Sequence, residues 1–259
     1  MILGKFEAAS IRPSAVVVVI GKRNTGKTTL VRDLMFHHRG VSSAIVVSPT
    51  EHFHRQYGDI SPPLQVYDEY VPAILDAIVE RQKAAAGTPE DDARAFLVLD
   101  DCMYDSCWAQ DENLGQLVTG KRSLRVTSVV TMGYPLRLPA TIHEQVDYVF
   151  LLREGLVGNR KRMYDAYCSD VFPTFDVFCQ VMDRCTAENH ECLVIDRTRL
   201  EPRAFWYEAD LHGPFSIGDG TSHDRPVRRT VASAGLVSDV GLTSEEERGS
   251  VAERKRQRT

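Results

Sequence analysis

Residues Gly21 to Thr28 read Gly-Lys-Arg-Asn-Thr-Gly-Lys-Thr, the spacing G-x-x-x-x-G-K-[ST], and no other stretch narrows the fold as much. That string works only between a strand and a helix. Both flanks fit. Ser14–Ile20 (S-A-V-V-V-V-I) is short, β-branched and apolar on both faces, as in a fully buried parallel strand. Thr28–His38 sets Leu30, Val31, Leu34 and Met35 on one helical face. Glycines let such a loop wrap its backbone N–H groups around phosphate, and the helix N-terminus adds the positive end of its dipole. Lys27 is then expected to reach the β- and γ-phosphates of ATP, and the Thr28 hydroxyl to bind Mg²⁺. The nucleotide-contacting set is Gly21, Lys22, Arg23, Asn24, Thr25, Gly26, Lys27, Thr28 and Thr29.

A phosphate loop needs a second, anionic element. Phe96-Leu97-Val98-Leu99-Asp100-Asp101 provides one: four apolar residues, then two carboxylates at the C-terminal end of a strand. Ligands of open α/β sheets bind along that edge. Asp100 is read as the Mg²⁺-side carboxylate and Asp101 as the general base or water-positioning group.

Further buried strands are expected at Ala44–Ser48, Leu64–Tyr67, Ala95–Asp100, Val126–Met132 and Gln145–Leu152, with later ones at Cys192–Ile195 and Phe205–Tyr207. Helices are expected over Val71–Ala86, Glu112–Val118, Lys161–Tyr167 and Phe175–Cys185. Alternation of this kind predicts an α/β fold, a mainly parallel sheet with helices on both faces. The organisation read from it is an N-terminal extension (1–12), a P-loop domain (13–219) and a mobile, Arg-rich C-terminal tail (220–259), where apolar residues thin out.

Composition adds exclusions. At 43% hydrophobic and 26% charged, the chain is no collagen, coiled coil or wholly disordered protein. No apolar run approaches the length of a bilayer span, and no secretory signal is expected. Six cysteines without a C-x-x-C pair suggest free thiols in a reducing compartment. The net charge of −5 divides into −7 for residues 1–219 and +2 for 220–259, an acidic body that does not suit non-specific coating of nucleic acid. No N-K-x-D string reads guanine and no L-S-G-G-Q marks a transporter cassette. An ATPase or a small-molecule kinase remains, the kinase drawing on Arg153 and Arg160–Arg162 as a phosphate-clamping lid.

Taken in order, G-K-R-N-T-G-K-T, L-V-L-D-D-C, T-M-G-Y-P, D-Y-V-F-L-L-R-E, F-P-T-F-D-V-F-C-Q-V-M-D, E-C-L-V-I-D and F-W-Y-E-A-D-L-H resemble the poxvirus-type DNA-packaging ATPases of nucleocytoplasmic large DNA viruses, in the FtsK–HerA group. The resemblance covers about residues 13–219. It implies a RecA/FtsK-like P-loop core, a homo-oligomeric ring, and ATP hydrolysis that drives double-stranded viral DNA into the capsid. Capsid or inner-membrane packaging components are the implied partners, and the virion and the host-cell virus factory, cytoplasmic or nuclear, the implied location. Carried over, Lys27, Asp100 and Asp101 serve nucleotide, Mg²⁺ and hydrolysis. Arg122, in Gly120-Lys121-Arg122-Ser123, matches the family's arginine finger. Gly133 stands where the family has a γ-phosphate-sensing Gln, which keeps open a nucleotide-binding structural protein with vestigial hydrolysis.

Other features have plain readings. Phe175, Phe178, Cys179 and Met182 sit at core-packing helical spacing. His37-His38 closes a helix, where imidazole suits the dipole, with metal binding the lesser reading. Cys185, His190, Glu191 and Cys192 lack metal-ligand spacing. The Arg-rich end suits DNA contact, nuclear import or a solvated tail.

Overall fold

The computed structural model describes residues 3–60, 64–85, 93–102, 108, 111–135, 138–218 and 227–229. Their strands are β1 (Gly4–Lys5), β2 (Val16–Ile20), β3 (Ser43–Val47), β4 (Leu64–Tyr67), β5 (Ala95–Leu99), β6 (Val126–Met132), β7 (Tyr148–Leu151), β8 (Glu191–Asp196), β9 (Arg203–Glu208) and β10 (Val227–Arg229). They form one sheet in the order β1-β9-β8-β7-β2-β6-β5-β3-β4-β10. Every pairing is parallel except β7 with β8 and β8 with β9.

The mainly parallel sheet has helices α1 (Lys27–His37), α2 (Glu51–His54), α3 (Pro72–Ala84), α4 (Glu112–Thr119), α5 (Lys121–Leu124), α6 (Ala140–His143), α7 (Val157–Met163) and α8 (Phe175–Cys185). Strand β2 explains why both faces must be covered. All five of its residues are buried, and with side chains alternating across the sheet they feed two cores. Val16, Val18 and Ile20 join α3, α4 and α8 on one side. Val17 and Val19 join α1 on the other, through Leu30, Val31, Leu34 and Met35. Phe178 and Met182 are fully buried in the first core, with Phe175 and Cys179 packed against it, as their spacing predicts. The described cysteines are free; Cys107 lies outside them.

Several boundaries differ from the sequence reading. The helix expected at Lys161–Tyr167 begins at Val157, and residues 164–168 widen into a π-turn. Gln145–Leu152 shortens to Tyr148–Leu151: Gln145 lies in the turn after α6, and Val146, though buried, precedes the strand. Helices α2, α5 and α6 span only four residues each, too short for a periodic pattern. Strand β10 lies inside the segment read as a tail, parallel to β4 with Val227 opposite Gln65, where the open edge of β4 offers backbone groups for pairing. The rest of 219–259 lies outside the described residues.

Candidate functional site

The phosphate loop starts where β2 ends between β6 and β7. Gly21 donates its N–H to the Met132 carbonyl at 3.0 Å. A Cβ on Gly21 would lie 2.6 Å from Thr25 Oγ1 and 2.8 Å from Leu152 Cβ, so only glycine fits. The chain turns through left-handed Asn24 (φ 62) and Gly26 (φ 96) and enters α1 at Lys27. No side chain caps that helix, so its first-turn N–H groups remain to face an anion. Thr28 and Thr29, in this turn, are half-buried.

Lys27 is only 7% exposed. Its Nζ donates to the Gly21 carbonyl at 2.9 Å and the Lys22 carbonyl at 3.3 Å, and lies 3.2 Å from Asp101 Oδ2. The two sequence elements therefore meet in a direct ion pair. Asp101 holds a left-handed backbone (φ 52), which short polar residues tolerate, and its N–H donates to Thr131 Oγ1 at 2.9 Å.

Asp100 sits beneath, 3% exposed. Thr131 donates to its Oδ1 at 2.6 Å and the Tyr57 hydroxyl to its Oδ2 at 2.9 Å. Burial pushes the Asp100 carboxyl above the usual carboxylate range; the two hydroxyl donors pull it back, Asp101 adds to the rise and Lys27 opposes it. One Thr131 hydroxyl thus orders both carboxylates, through the side chain of one and the backbone of the other. A carboxylate offers about four lone-pair sites, so Asp100 keeps accepting capacity beyond these two bonds. Its oxygens and the Thr28 hydroxyl are the hard donors that Mg²⁺ takes, and the site fits that ion.

Three further residues shape the site. Glu154, 1% exposed just past β7, pairs with Lys22 at 2.9 Å and accepts from the Leu156 N–H at 2.7 Å and Asn159 Nδ2 at 2.8 Å. Desolvation raises its carboxyl, and these donors together outweigh that and hold it below the usual range. His190 (φ 69) packs against the loop, since a Cβ on Gly26 would lie 2.8 Å from its Nδ1. Gly133 faces Asp101, where a Cβ would lie in ordinary contact, 3.7 Å from Oδ1. Tyr57, Thr131 and Glu154 receive no role from the sequence, although Thr131 opens T-M-G-Y-P and Glu154 closes D-Y-V-F-L-L-R-E. Thr131 had a signal as a polar residue near the end of the expected strand Val126–Met132, while the register that sets it beside Asp100, with Leu99 opposite Val130, is seen only in the structure. Glu154 had a weaker one, an acid closing an apolar strand. Tyr57 had none.

Arg122 lies elsewhere. It is exposed on α5, just before β6, at the edge where the parallel strands begin. The seven residues of β6 separate it from its own phosphate loop by roughly 20 Å at about 3.3 Å per residue. Beside it Lys121 pairs with Asp147 at 2.5 Å and donates to the Gln145 carbonyl at 2.8 Å. Arg137 lies outside the described residues. Of the cations considered for a kinase lid, Arg160 pairs with Asp183 and Lys161 with Asp165, while Arg153 and Arg162 are exposed.

No family model matches the chain. It is 31% identical over 206 residues to protein L437 of Acanthamoeba polyphaga mimivirus, spanning 74% of this chain and 72% of that one. It is 34% identical over 198 residues to protein 075L of Invertebrate iridescent virus 6, covering 74% of each. In structure it is similar to B204, the DNA-packaging ATPase of Sulfolobus turreted icosahedral virus, with a TM-score of 0.55 over 75% of this chain and 98% of that one. Sequence identity there is 10%, so this likeness concerns the fold. Among the described residues no helix is long and apolar enough to cross a membrane.

Proposed function

The chain belongs to the poxvirus-type packaging-ATPase family of nucleocytoplasmic large DNA viruses, and from that premise we propose that it is an ATP-hydrolysing motor that moves double-stranded viral DNA into the capsid. The observation that carries this reading is the 3.2 Å contact of Lys27 with Asp101 at the sheet edge, with Asp100 buried directly beneath. It gathers a phosphate-binding cation, a cation-binding carboxylate and a proton acceptor in one place.

ATP phosphates lie against the first turn of α1, and Lys27 exchanges carbonyl acceptors for phosphate oxygens. Thr28 and Asp100 would hold Mg²⁺, which would neutralise charge on the phosphates. Asp101 orients a water and accepts its proton as the water oxygen attacks the γ-phosphorus. The bond from that phosphorus to the β–γ bridging oxygen breaks, and ADP and phosphate leave. Thr131 keeps both carboxylates in register throughout. Arg122, remote from its own loop, acts on the nucleotide of a neighbouring subunit, which requires a ring. Packaging components of the capsid or inner membrane are the partners this role demands, and the virion and virus factory its setting. The name of the Sulfolobus virus protein, a DNA-packaging ATPase, supports the assignment. The kinase alternative is the weaker one, because two of its lid cations are engaged by carboxylates of this chain.

The test is ATP turnover with and without double-stranded DNA, with particle mass from light scattering. An oligomer whose turnover rises with DNA is expected. A monomer with DNA-indifferent turnover would favour the kinase.

A further inference from the structure

Helix α1 carries a second group of chemically active side chains at the end away from the phosphate loop. Asp33 and His37 are four residues apart and share one helical face. The segment after β9 brings His212 to the same point. Asp33 is fully buried, and its Oδ1 lies 2.6 Å from His212 Nε2 and 3.5 Å from His37 Nε2. One donor atom from each of the three falls within 4.8 Å of the others.

We propose that Asp33, His37 and His212 form a divalent transition-metal site, with Zn²⁺ the best-matched ion, which fastens the segment after β9 to the helix of the phosphate loop. Two imidazole nitrogens and one carboxylate oxygen suit Zn²⁺, whereas Mg²⁺ and Ca²⁺ take oxygen donors. Bonds of about 2.0–2.2 Å in tetrahedral geometry set donors roughly 3.3–3.5 Å apart. The His37–Asp33 separation already has that value, and His212 has to withdraw by less than about 1 Å. Water completes the fourth position, reached past His37, whose side chain is 30% exposed.

The surroundings hold the ligands in place without the ion. The Tyr207 hydroxyl donates to Asp33 Oδ2, the outer bond that orients a ligating carboxylate. The His212 ring stacks on Phe36 at 3.8 Å and 13°, and Phe215 packs edge-on against Phe36. The Gly218 N–H donates to the Arg39 carbonyl at 2.7 Å, so the segment returns to the end of α1 after passing the site. This inference stands apart from the packaging role, since a bound ion here would tie structure together whatever the nucleotide does.

The full chain, kept in excess Mg²⁺, is titrated with Zn²⁺ by calorimetry and by melting temperature. One Zn²⁺ per chain and a raised melting temperature are expected. His37→Gln, on the exposed side, should leave the fold intact and weaken Zn²⁺ binding about 10-fold or more. His212→Gln should weaken it likewise. If the wild type takes up no Zn²⁺, or if both variants bind it as the wild type does, the three residues form a hydrogen-bonded latch and the metal site is refuted.

Discussion

The two edges of the central sheet handle charge in opposite ways. Where the parallel strands end, Lys27, Asp100 and Glu154 are 7%, 3% and 1% exposed, and each has its counter-charge or donors within a few ångströms. Where they begin, Lys121 is tied to Asp147 but Arg122 beside it reaches into solvent. Burying a charge is costly unless it is paired, so the first edge keeps its groups in place for a ligand that enters them. A charge at the second edge costs little and does nothing for its own site. Under the proposed function Arg122 acts outside its own chain, on the nucleotide of the next subunit in a ring. In the proposed function one reaction is divided between these two surfaces of the molecule.

The first way to break that division is Lys27→Ala. In the proposed reaction its buried ammonium meets the phosphates, so nucleotide binding and turnover should fall together, turnover by about 10²-fold at the least. Wild-type turnover would mean that this edge is not the nucleotide site.

Arg122→Ala sharpens the contrast from the other side. This variant should bind ATP and assemble normally, yet lose hydrolysis by about 10³-fold, the ordinary worth of an arginine finger. Mixed with Lys27→Ala subunits it should recover part of the activity, because one interface then joins an intact loop to an intact finger. Mixed rings no more active than either parent would remove Arg122 from the reaction.

Asp101→Asn probes the first edge alone. Asparagine tolerates the left-handed backbone at least as well as aspartate, so the turn should survive. It cannot accept a proton. ATP with Mg²⁺ should bind while turnover drops about 10²-fold. Unchanged turnover would shift the chemistry to Asp100 or another group.

The smallest effect is expected from ending the chain at Gly218. That deletes residues 219–259, β10 among them, a three-residue strand on the edge of β4, and leaves the phosphate-loop edge and the Arg122 edge whole. A loss near 1 kcal/mol, about 2–4 °C in melting temperature for a domain of this size, is the most anticipated. A much larger drop in a thermal melt would show that residues beyond 218 stabilise the body by more than the β10–β4 pairing.

Much of the first edge was legible before any coordinates. V-V-V-V-I and F-L-V-L-D-D announce buried parallel strands by their lack of alternation, and the Gly-Lys-Thr turn needs a strand on one side and a helix on the other. What stayed hidden depends on strand neighbours. Thr131 reaches Asp100 and Asp101 only because β5 and β6 pair in one particular register. Tyr57 arrives from a turn, with no periodicity to mark it. The antiparallel strand β8 is buried through its middle like the parallel ones, so its direction leaves no trace in its pattern, while β9 is mostly half-buried near the sheet edge. Arg122 was legible as a cation, but its place at the far edge follows from where β6 begins.

Hydrolysis at one edge is proposed to move DNA, and triplex displacement measures that directly. The full chain is given linear double-stranded DNA carrying a third strand at one end, with ATP and Mg²⁺. The account predicts release of the third strand by the wild type, dependent on ATP and lost in Lys27→Ala and in Arg122→Ala. Steady ATP hydrolysis on that DNA with the third strand left in place would contradict it.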